Sequence, residues 1–277
     1  MPEGDTIHAV ARVMAPDLVG RPLVALEVDQ RPRQLDGTRV TGCEAIGKHL
    51  LITLTEPALT LRVHLGMKGS WHRYRPGERW RHPPSERRVV LQTAEWLFVC
   101  FSPKDVELTA PHHYHRPQVG HLGPDLLGDT FDLDEVIARA HAVSASRAEA
   151  SLAIAELLLT QSVAAGIGNV YKSEVLFIER LSPFTPAHIV DEPKLRAIYQ
   201  RARDLMRENL DAGGWRVTTS RQAHTHGFTP DRAVPLSERH WVYRRARLPC
   251  RVCGTPIQSR LQGQTARMTY WCPTCQR

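Results

Sequence analysis

The sequence predicts an α+β protein of several domains, and three patterns along its 277 residues carry that prediction. Apolar and polar residues alternate in short runs over roughly the first 120 residues, as in half-buried strands. Apolar residues then recur at helical spacing as far as residue 210. Two Cys-x-x-Cys pairs close the chain. We therefore predict an N-terminal β-sandwich with a leading helix, a helical middle domain and a small cysteine-rich C-terminal domain.

The chain is basic, with 36 Lys and Arg against 29 Asp and Glu, a net charge of +7 and a pI near 9.3. Only five of the cations are lysines, and the planar guanidinium of arginine suits phosphate better than a point charge does. This balance indicates a polyanionic partner, most simply nucleic acid, although a solvated arginine-rich surface is the alternative. No long apolar run or secretory signal is present, so we expect a soluble, cytoplasmic protein with no membrane contact.

The first residues carry groups that could react. Pro2 is small enough to permit removal of Met1 and would then be the free N-terminus. Its secondary amine could attack an aldehyde carbon and form a Schiff base, while Glu3 moves protons. Asp5 and Thr6 are cap-type residues ahead of a helical apolar stripe, so both groups should lie at the positive end of a helix, which lowers the pKa of the amine. The alternative is an ordinary capped helix at an ordinary terminus.

Five runs in the first part of the chain are predicted as strands, and Gly47-Lys48-His49 opens the second of them. The runs are residues 23–29, 50–55, 59–65, 89–92 and 96–101. Alternation in the third run predicts that Arg62 and His64 lie on the face away from the core. Cys43 and Cys100 stand alone in strand-like segments, where we expect them to fill space in the core.

The segment that follows is rich in Pro, Gly and His, and we interpret residues 119–131 as a linker. His112, His113 and His115 lie just before it. A solvated loop is the interpretation favoured over a metal site, because no Cys or carboxylate lies at ligand spacing. Asp132 and Glu135 then form a cap pattern that begins the helical part of the chain.

Helical spacing continues after this cap. The apolar stripes predict helices over residues 133–140, 152–159, 170–178 and 193–210, with Gly213-Gly214 ending the last. Between the second and third lies a glycine turn, residues 165–169, in which Asn169 could cap the next helix. Such a helix–two-turn–helix arrangement aims backbone N–H groups and the Asn169 amide outward, which suits a phosphate. A plain turn between two packed helices is the alternative.

The strongest motif is the pair of cysteine knuckles. Cys250-x-x-Cys253 is followed, after eighteen residues, by Cys272-x-x-Cys275. In a cytosolic chain this spacing favours a four-thiolate site for one Zn²⁺ on a β-hairpin, a zinc ribbon, over disulfides. Because all four positions of a tetrahedral ion would be taken by sulfur, we expect this zinc to be structural and not catalytic.

Four separated motifs together resemble the formamidopyrimidine-DNA glycosylase / endonuclease VIII family of base-excision repair enzymes over nearly the whole chain. They are Met-Pro-Glu-Gly at the start, Gly-Lys-His-Leu-Leu over 47–51, residues 165–174, and Arg-Met-Thr-Tyr-Trp-Cys-Pro-Thr-Cys-Gln over 267–276. The predicted domain order is also that of the family. With this resemblance we divide the chain into a catalytic domain (1–118), the linker (119–131), a helix–two-turn–helix domain (132–225) and the zinc ribbon (226–277).

The resemblance implies roles for individual residues. Pro2 matches the nucleophile that attacks C1′ of the damaged nucleotide, Glu3 the acid that protonates the sugar ring oxygen, and Lys48 a lysine near the catalytic centre. Met67 matches the side chain that enters the duplex when the base is flipped out. The other residues expected to contact DNA are His64, Asn169, Lys172 and Arg267. Asn169 and Arg267 match a pair that grips phosphates flanking the lesion, a contact that positions DNA without reading its sequence.

The implied activity is that of a bifunctional DNA glycosylase/AP lyase that nicks the strand by β,δ-elimination through a Schiff base. The implied partner is damaged DNA, with no nucleotide cofactor, for a monomer associated with the nucleoid. Gly4, Asp5 and the Ser-Pro-Lys-Asp-Val-Glu-Leu run over 102–108 resemble the endonuclease VIII branch, which removes oxidised pyrimidines.

Two alternatives stay open. Residues 166–171 and 64–67 read more like the branch that acts on 8-oxoguanine and formamidopyrimidines. A non-catalytic zinc-ribbon protein that binds damaged DNA is the third hypothesis, although it would have no use for Pro2, Glu3 and Lys48. The stretch 221–224 is a candidate for the lesion pocket without an assigned role.

Overall fold

A computed structural model describes residues 2–34, 37–55, 58–109, 117–146, 152–211 and 238–277. The chain divides into two compact units, Met1–His121 and Leu122–Arg277. Predictions made for His112, His113, His115, the end of the last helix at Gly213-Gly214 and the stretch 221–224 fall outside the described residues. None of the helices in the described ranges is long and apolar enough to cross a membrane.

The first unit is the predicted sandwich with a leading helix, α1 (Gly4–Leu18). Its strands are β1 (Ala25–Val28), β2 (Arg31–Pro32), β3 (Val40–Ile46), β4 (His49–Leu54), β5 (Leu59–His64), β6 (Ser70–Tyr74), β7 (Arg87–Gln92), β8 (Leu97–Phe101) and β9 (Asp105–Thr109). One antiparallel sheet has the order β2-β1-β7-β8-β6 and the other β3-β4-β5-β9. The sandwich prediction is therefore confirmed.

The core of the sandwich is built from the alternating residues of both sheets together with the apolar stripe of α1. Ile7 of α1 is buried with Leu26, Leu61 and Phe98 of the strands. Burial of this kind contributes about 25 cal/mol for each Å² of apolar surface removed from water, so the two sheets and the helix stabilise one another. Cys100 is fully buried in this core and Cys43 packs against it, as expected.

Arg62 and His64 lie opposite the core, because their strand neighbours Leu61 and Val63 belong to it. This face is not open to solvent, however. Arg62 is only 5% exposed, and His64 is half-buried. The alternation thus predicted the face correctly but could not predict that polar partners from neighbouring strands would enclose the arginine.

The second unit begins with residues that the sequence suggested were a linker. The helical turn α2 (Pro117–Gly120) precedes the second unit. Within the unit, Leu126 is fully buried in the core formed by the helices. The N–H of Gly123 donates to the carbonyl of Gln161 at 2.9 Å, and that of Leu126 to Ala165 at 3.2 Å. Residues 122–131 are therefore packed and hydrogen-bonded to the helices rather than forming a free connection.

Further helices and a hairpin follow in the parts of the second unit that the structure describes. They are α3 (Leu133–Ser146), α4 (Ile154–Leu159), α5 (Asn169–Ile178), α6 (Glu192–Asp211), β10 (Gln258–Gln262) and β11 (Arg267–Trp271). Asp132 caps α3, its Oδ1 accepting from the N–H of Asp134 at 2.8 Å. Phe177 of α5 shares a small core with Val242, Ile257 and Cys272, so the helices and the ribbon are packed together within this unit.

Candidate functional site

The N-terminal residues of the first unit are organised by the start of α1. Glu3 is the N-cap residue and is fully buried, while Pro2 is half-buried. The N–H groups of Thr6 and Ile7 donate to the Glu3 carbonyl at 3.0 and 3.2 Å. The helix thus starts at Gly4, two residues earlier than a cap at Asp5 would give, which places Pro2 and Glu3 at its positive end.

Asp5 and Thr6 serve this helix start locally. Asp5 is 3% exposed and its Oδ1 accepts from the Thr6 N–H at 2.7 Å. The Thr6 hydroxyl in turn accepts from the Glu3 N–H at 3.4 Å. These contacts hold the backbone of Glu3 in an extended conformation just before the helix, which limits the positions open to Pro2.

Lys48 lies in the tight turn that joins β3 to β4, where Gly47 adopts a positive φ of 57° that suits glycine. Helix α1 packs against both of these strands. His49, His64 and Asp105 are register neighbours across β4, β5 and β9. The ends of these three strands therefore meet at one edge of the sheet, which also carries Lys48.

The turn after β5 reaches the same edge. Met67 is 69% exposed, which is unusual for so apolar a side chain. Gly66 has a positive φ of 65°, and a Cβ added at this position would lie only 2.5 Å from the Cβ of Lys104. The turn of β5 and the turn before β9 are thus in close contact, and Met67 projects beside them.

In the second unit, a hydrogen bond links Asn169 to the residue next to Arg267. The N-cap of α5 is Gly168, so Asn169 is the first helical residue and not the cap. Its Nδ2 donates to the Met268 carbonyl on β11 at 2.7 Å. Arg267, the preceding residue, is exposed. A cap residue needs an extended backbone, which Gly168 has, whereas Asn169 already belongs to the helix.

Lys172 is placed differently from the expectation. Its side chain is 1% exposed, and Nζ donates to the Thr269 hydroxyl at 2.8 Å. Thr269 donates onward to Gln262 Oε1 at 2.8 Å. Lys172 therefore stabilises the contact between α5 and the hairpin.

The sequence did not identify a role for Glu174, which is fully buried on α5. Its carboxylate accepts the N–H groups of Trp241, Val242 and Tyr243 at 2.7, 2.9 and 2.7 Å. A charged residue among the apolar positions of a helix is the signal that could have drawn attention to it.

The four cysteines of the knuckles come together as predicted. The Sγ atoms of Cys250, Cys253, Cys272 and Cys275 all lie within 4.8 Å of one another. Cys250 and Cys275 are 3.9 Å apart, and Cys253 and Cys272 are 3.5 Å apart. Thiolates on a tetrahedral ion with bonds of about 2.3 Å would be about 3.8 Å apart, so the cluster fits a metal ion.

Comparison with known proteins decides the family. Residues 1–105 match the formamidopyrimidine-DNA glycosylase N-terminal domain, and residues 122–221 match the formamidopyrimidine-DNA glycosylase H2TH domain. The chain belongs to the formamidopyrimidine-DNA glycosylase / endonuclease VIII family. The predicted family and its helix–two-turn–helix (H2TH) domain are thereby confirmed.

Individual members of this family resemble the chain over its full length. "Probable endonuclease 8 2" of Streptomyces coelicolor is 36% identical over 283 residues, covering 100% of this chain and 94% of that protein. "DNA-(apurinic or apyrimidinic site) lyase Nei2" of Mycolicibacterium smegmatis is 35% identical, covering 100% and 99%. The crystal structure of the MutM (Fpg) protein of Thermus thermophilus superimposes with a TM-score of 0.74 at 29% identity, covering 99% and 98%.

Proposed function

We propose that this protein is a bifunctional DNA glycosylase/AP lyase of base-excision repair that removes oxidised pyrimidines. The observation that carries the proposal is the start of α1, where the buried acid Glu3 caps the helix and directly follows Pro2. The names of the full-length relatives, an endonuclease 8 and an AP-site lyase, support it. A protein that only binds DNA gains nothing from an amine and an acid held in this way.

In the proposed reaction the nitrogen of Pro2 forms a bond to C1′ of the damaged nucleotide as the bond from C1′ to the base breaks. Glu3 donates the proton that opens the sugar ring at its oxygen, leaving an iminium ion between Pro2 and C1′, and the departing base takes up the proton that the Pro2 nitrogen loses. Loss of the 3′ phosphate and then of the 5′ phosphate follows by β- and δ-elimination. Lys48, next to the same strand edge, contacts a phosphate near this centre.

The DNA contacts are divided between the two units. His64 and Met67 in the first unit face the duplex, with Met67 filling the space left by the flipped base. Asn169 and Arg267 in the second unit hold phosphates. For Lys172 we propose support of the Arg267 strand rather than a phosphate contact, because its ammonium group is enclosed by Thr269.

We further propose that the cysteine cluster holds one Zn²⁺ ion. Four thiolates, a spacing close to that of a tetrahedron and no open ligand position favour zinc in a structural role. The residues of the knuckles take no part in the chemistry. We also propose that the enzyme acts as a monomer in the cytoplasm, at the nucleoid, where its DNA substrate is.

The choice of lesion rests on the residues around Pro2 and in the turn before β9. Gly4, Asp5 and the short 102–108 segment favour the endonuclease VIII branch, as does the name of the Streptomyces relative. A specific observation favours the second candidate, 8-oxoguanine. Residues 64–67 and 166–171 resemble the other branch, and the Thermus structure is that of an Fpg protein.

Borohydride trapping tests the proposal on duplexes that contain 5-hydroxycytosine, thymine glycol, 8-oxoguanine, an abasic site or no damage. We expect a covalent product with the pyrimidine lesions and the abasic site. One uncleaved residue added before Pro2 turns its amine into an amide and should abolish trapping everywhere, while Asp17→Asn on the same helix should not. Trapping with 8-oxoguanine alone would assign the enzyme to the branch that acts on 8-oxoguanine and formamidopyrimidines.

Two outcomes would reject the mechanism itself. Trapping that survives the added residue would show that another amine is the nucleophile. Binding to damaged DNA without trapping on any duplex would favour the non-catalytic binder. Glu3→Gln separates the two steps, because it should stop base removal yet leave cleavage of the preformed abasic site.

A further inference from the structure

Arg62 is buried at the centre of a partly exposed polar cluster on the first unit, on the face of the four-stranded sheet opposite the core. Its Nε and Nη2 atoms both donate to Glu107 Oε2, at 3.1 and 2.9 Å. Nη2 also donates to the Asp105 carboxylate, and Nη1 lies 3.2 Å from His49 Nδ1. Side chains from the two neighbouring strands, β4 and β9, therefore converge on one guanidinium.

This contact decides the protonation of His49. A guanidinium has only donors, and in proteins it does not lose its proton. The Nδ1 atom of His49 must therefore accept, so its proton is on Nε2 and the ring is neutral. A protonated His49 would turn a second donor toward Arg62 and break the contact.

The His49 ring stacks on His64, with 4.9 Å between centroids and 29° between planes. The charged and titratable groups around the two rings are Arg62, Asp105, Lys48, Lys104 and His121, with Glu107 behind Arg62. Burial first, and then His64 and Arg62, lower the pKa of His49 to about 3. Burial, followed by Lys104 and Lys48, lowers the pKa of His64 to about 4.

We propose that Arg62 is a positioning residue that holds His49 as a neutral acceptor and, through the stacked rings, sets the orientation of His64 at the DNA-contacting edge. The inference rests on the DNA contact of His64 proposed above. His64 then meets a phosphate as a neutral N–H donor. The contribution of His64 to the affinity for DNA is consequently the same above and below the pH at which an ordinary histidine titrates.

The test measures the salt dependence of binding to a duplex with an uncleavable abasic-site analogue, at about pH 8 and about pH 5.5. Each phosphate neutralised by a cation contributes about one unit to the slope of log K against log salt. We expect the wild-type slope to be equal at the two pH values. In Arg62→Met, which removes one of the cations that lower the pKa of both rings, the two histidine pKa values should rise and the slope should become steeper at the lower pH.

Matched variants and a spectroscopic readout complete the experiment. Arg88→Met, which removes an arginine from an exposed pair with Asp29, should leave the slopes unchanged. NMR titration of the histidine ring signals should show His49 and His64 neutral at about pH 5.5 in the wild type and titrating at a higher pH in Arg62→Met than in the wild type. If Arg62→Met does not fold, Glu107→Gln keeps the arginine, removes one of its anchors and should change the chemical shifts of both rings.

The failures are distinguishable. If His64→Ala binds the duplex as tightly as the wild type, the proposed contact of His64 is wrong. If His64→Ala weakens binding but Arg62→Met and Glu107→Gln both keep wild-type slopes and histidine signals, the positioning role of Arg62 is overturned. A wild-type slope that steepens by about one unit at the lower pH also overturns it, because His64 would then bind phosphate as a cation.

Discussion

The amide of Asn169 donates to the carbonyl of Met268 at 2.7 Å, and this bond joins the first residue of α5 to the residue after Arg267. The two residues that we propose to hold phosphates therefore lie on a helix and a strand in direct contact. Helices and strands position side chains more precisely than loops do. The bond uses the amide nitrogen of Asn169, and the cap position of the helix belongs to Gly168.

Arg267→Ala should weaken DNA binding and reduce its salt slope by about one unit, because one phosphate contact is lost. The measurement is the binding constant for an abasic-analogue duplex over a range of salt. Arg260→Ala on the paired strand is the control, since that guanidinium lies over the Phe184 ring at 3.6 Å. An unchanged slope in Arg267→Ala would remove Arg267 from the phosphate contacts.

Lys172→Met should destabilise the second unit by about 1–3 kcal/mol, because it removes the buried donor to Thr269. DNA binding should weaken through the loosened β11, but the salt slope should stay at its wild-type value. Urea unfolding and salt-dependent binding measure the two effects. Lys194→Met, which removes a half-exposed partner of Glu179, is the control. A slope lower by about one unit would instead make Lys172 a direct phosphate ligand.

Glu174→Gln should lower the free energy of unfolding by about 2–4 kcal/mol. The new amide places an N–H against backbone N–H groups whose hydrogen bonds the carboxylate accepted. The loss should appear as a lower urea midpoint and faster proteolysis near residue 241. Glu192→Gln changes an exposed glutamate on α6 and should have little effect. Equal stability of the two variants would show that the three hydrogen bonds contribute nothing measurable.

Removal of the metal should disorder the ribbon and weaken DNA binding, because Arg267 stands on the hairpin that the cysteines join. Metal analysis of the purified protein should find one zinc per chain, and Cys253→Ser should reproduce the effect of a chelator. Cys43→Ser, away from the cluster, is the control. Full binding and activity without metal would contradict the structural role.

The stability of the first unit should fall at acid pH because of the histidine pair. The pKa values of His49 and His64, lowered from 6.5 to about 3 and about 4, mean that the unfolded chain binds protons that the folded chain does not. The stabilisation is complete above pH 6.5 and is lost as the pH falls toward the folded-state values. The free energy of unfolding of the double variant His49→Gln/His64→Gln should depend less on pH between 6.5 and 4 than that of the wild type. The wild type and His121→Gln are the controls. If the free energy of unfolding of the double variant changes with pH in parallel with theirs, the prediction is contradicted.

Much of the fold was predictable because its signals are local. The period of two gave the sandwich strands, the apolar stripe from Ile7 gave α1, and the cap at Asp132 gave the start of α3. The spacing of the four cysteines was enough to predict their meeting, since a hairpin between two knuckles brings the pairs together. The family was identified from motifs of a few adjacent residues each.

By itself, then, the sequence determined the order of the elements, the cysteine cluster and the candidates at Pro2, Glu3 and Lys48. Tertiary structure decided which charged residues are enclosed and by what. Arg62 meets Glu107 from 45 residues away, Glu174 meets Val242 from 68, and Lys172 meets Thr269 from 97. Spacing along the chain carries no record of such partners, because burying a charge depends on groups that only the folded chain brings within hydrogen-bond distance.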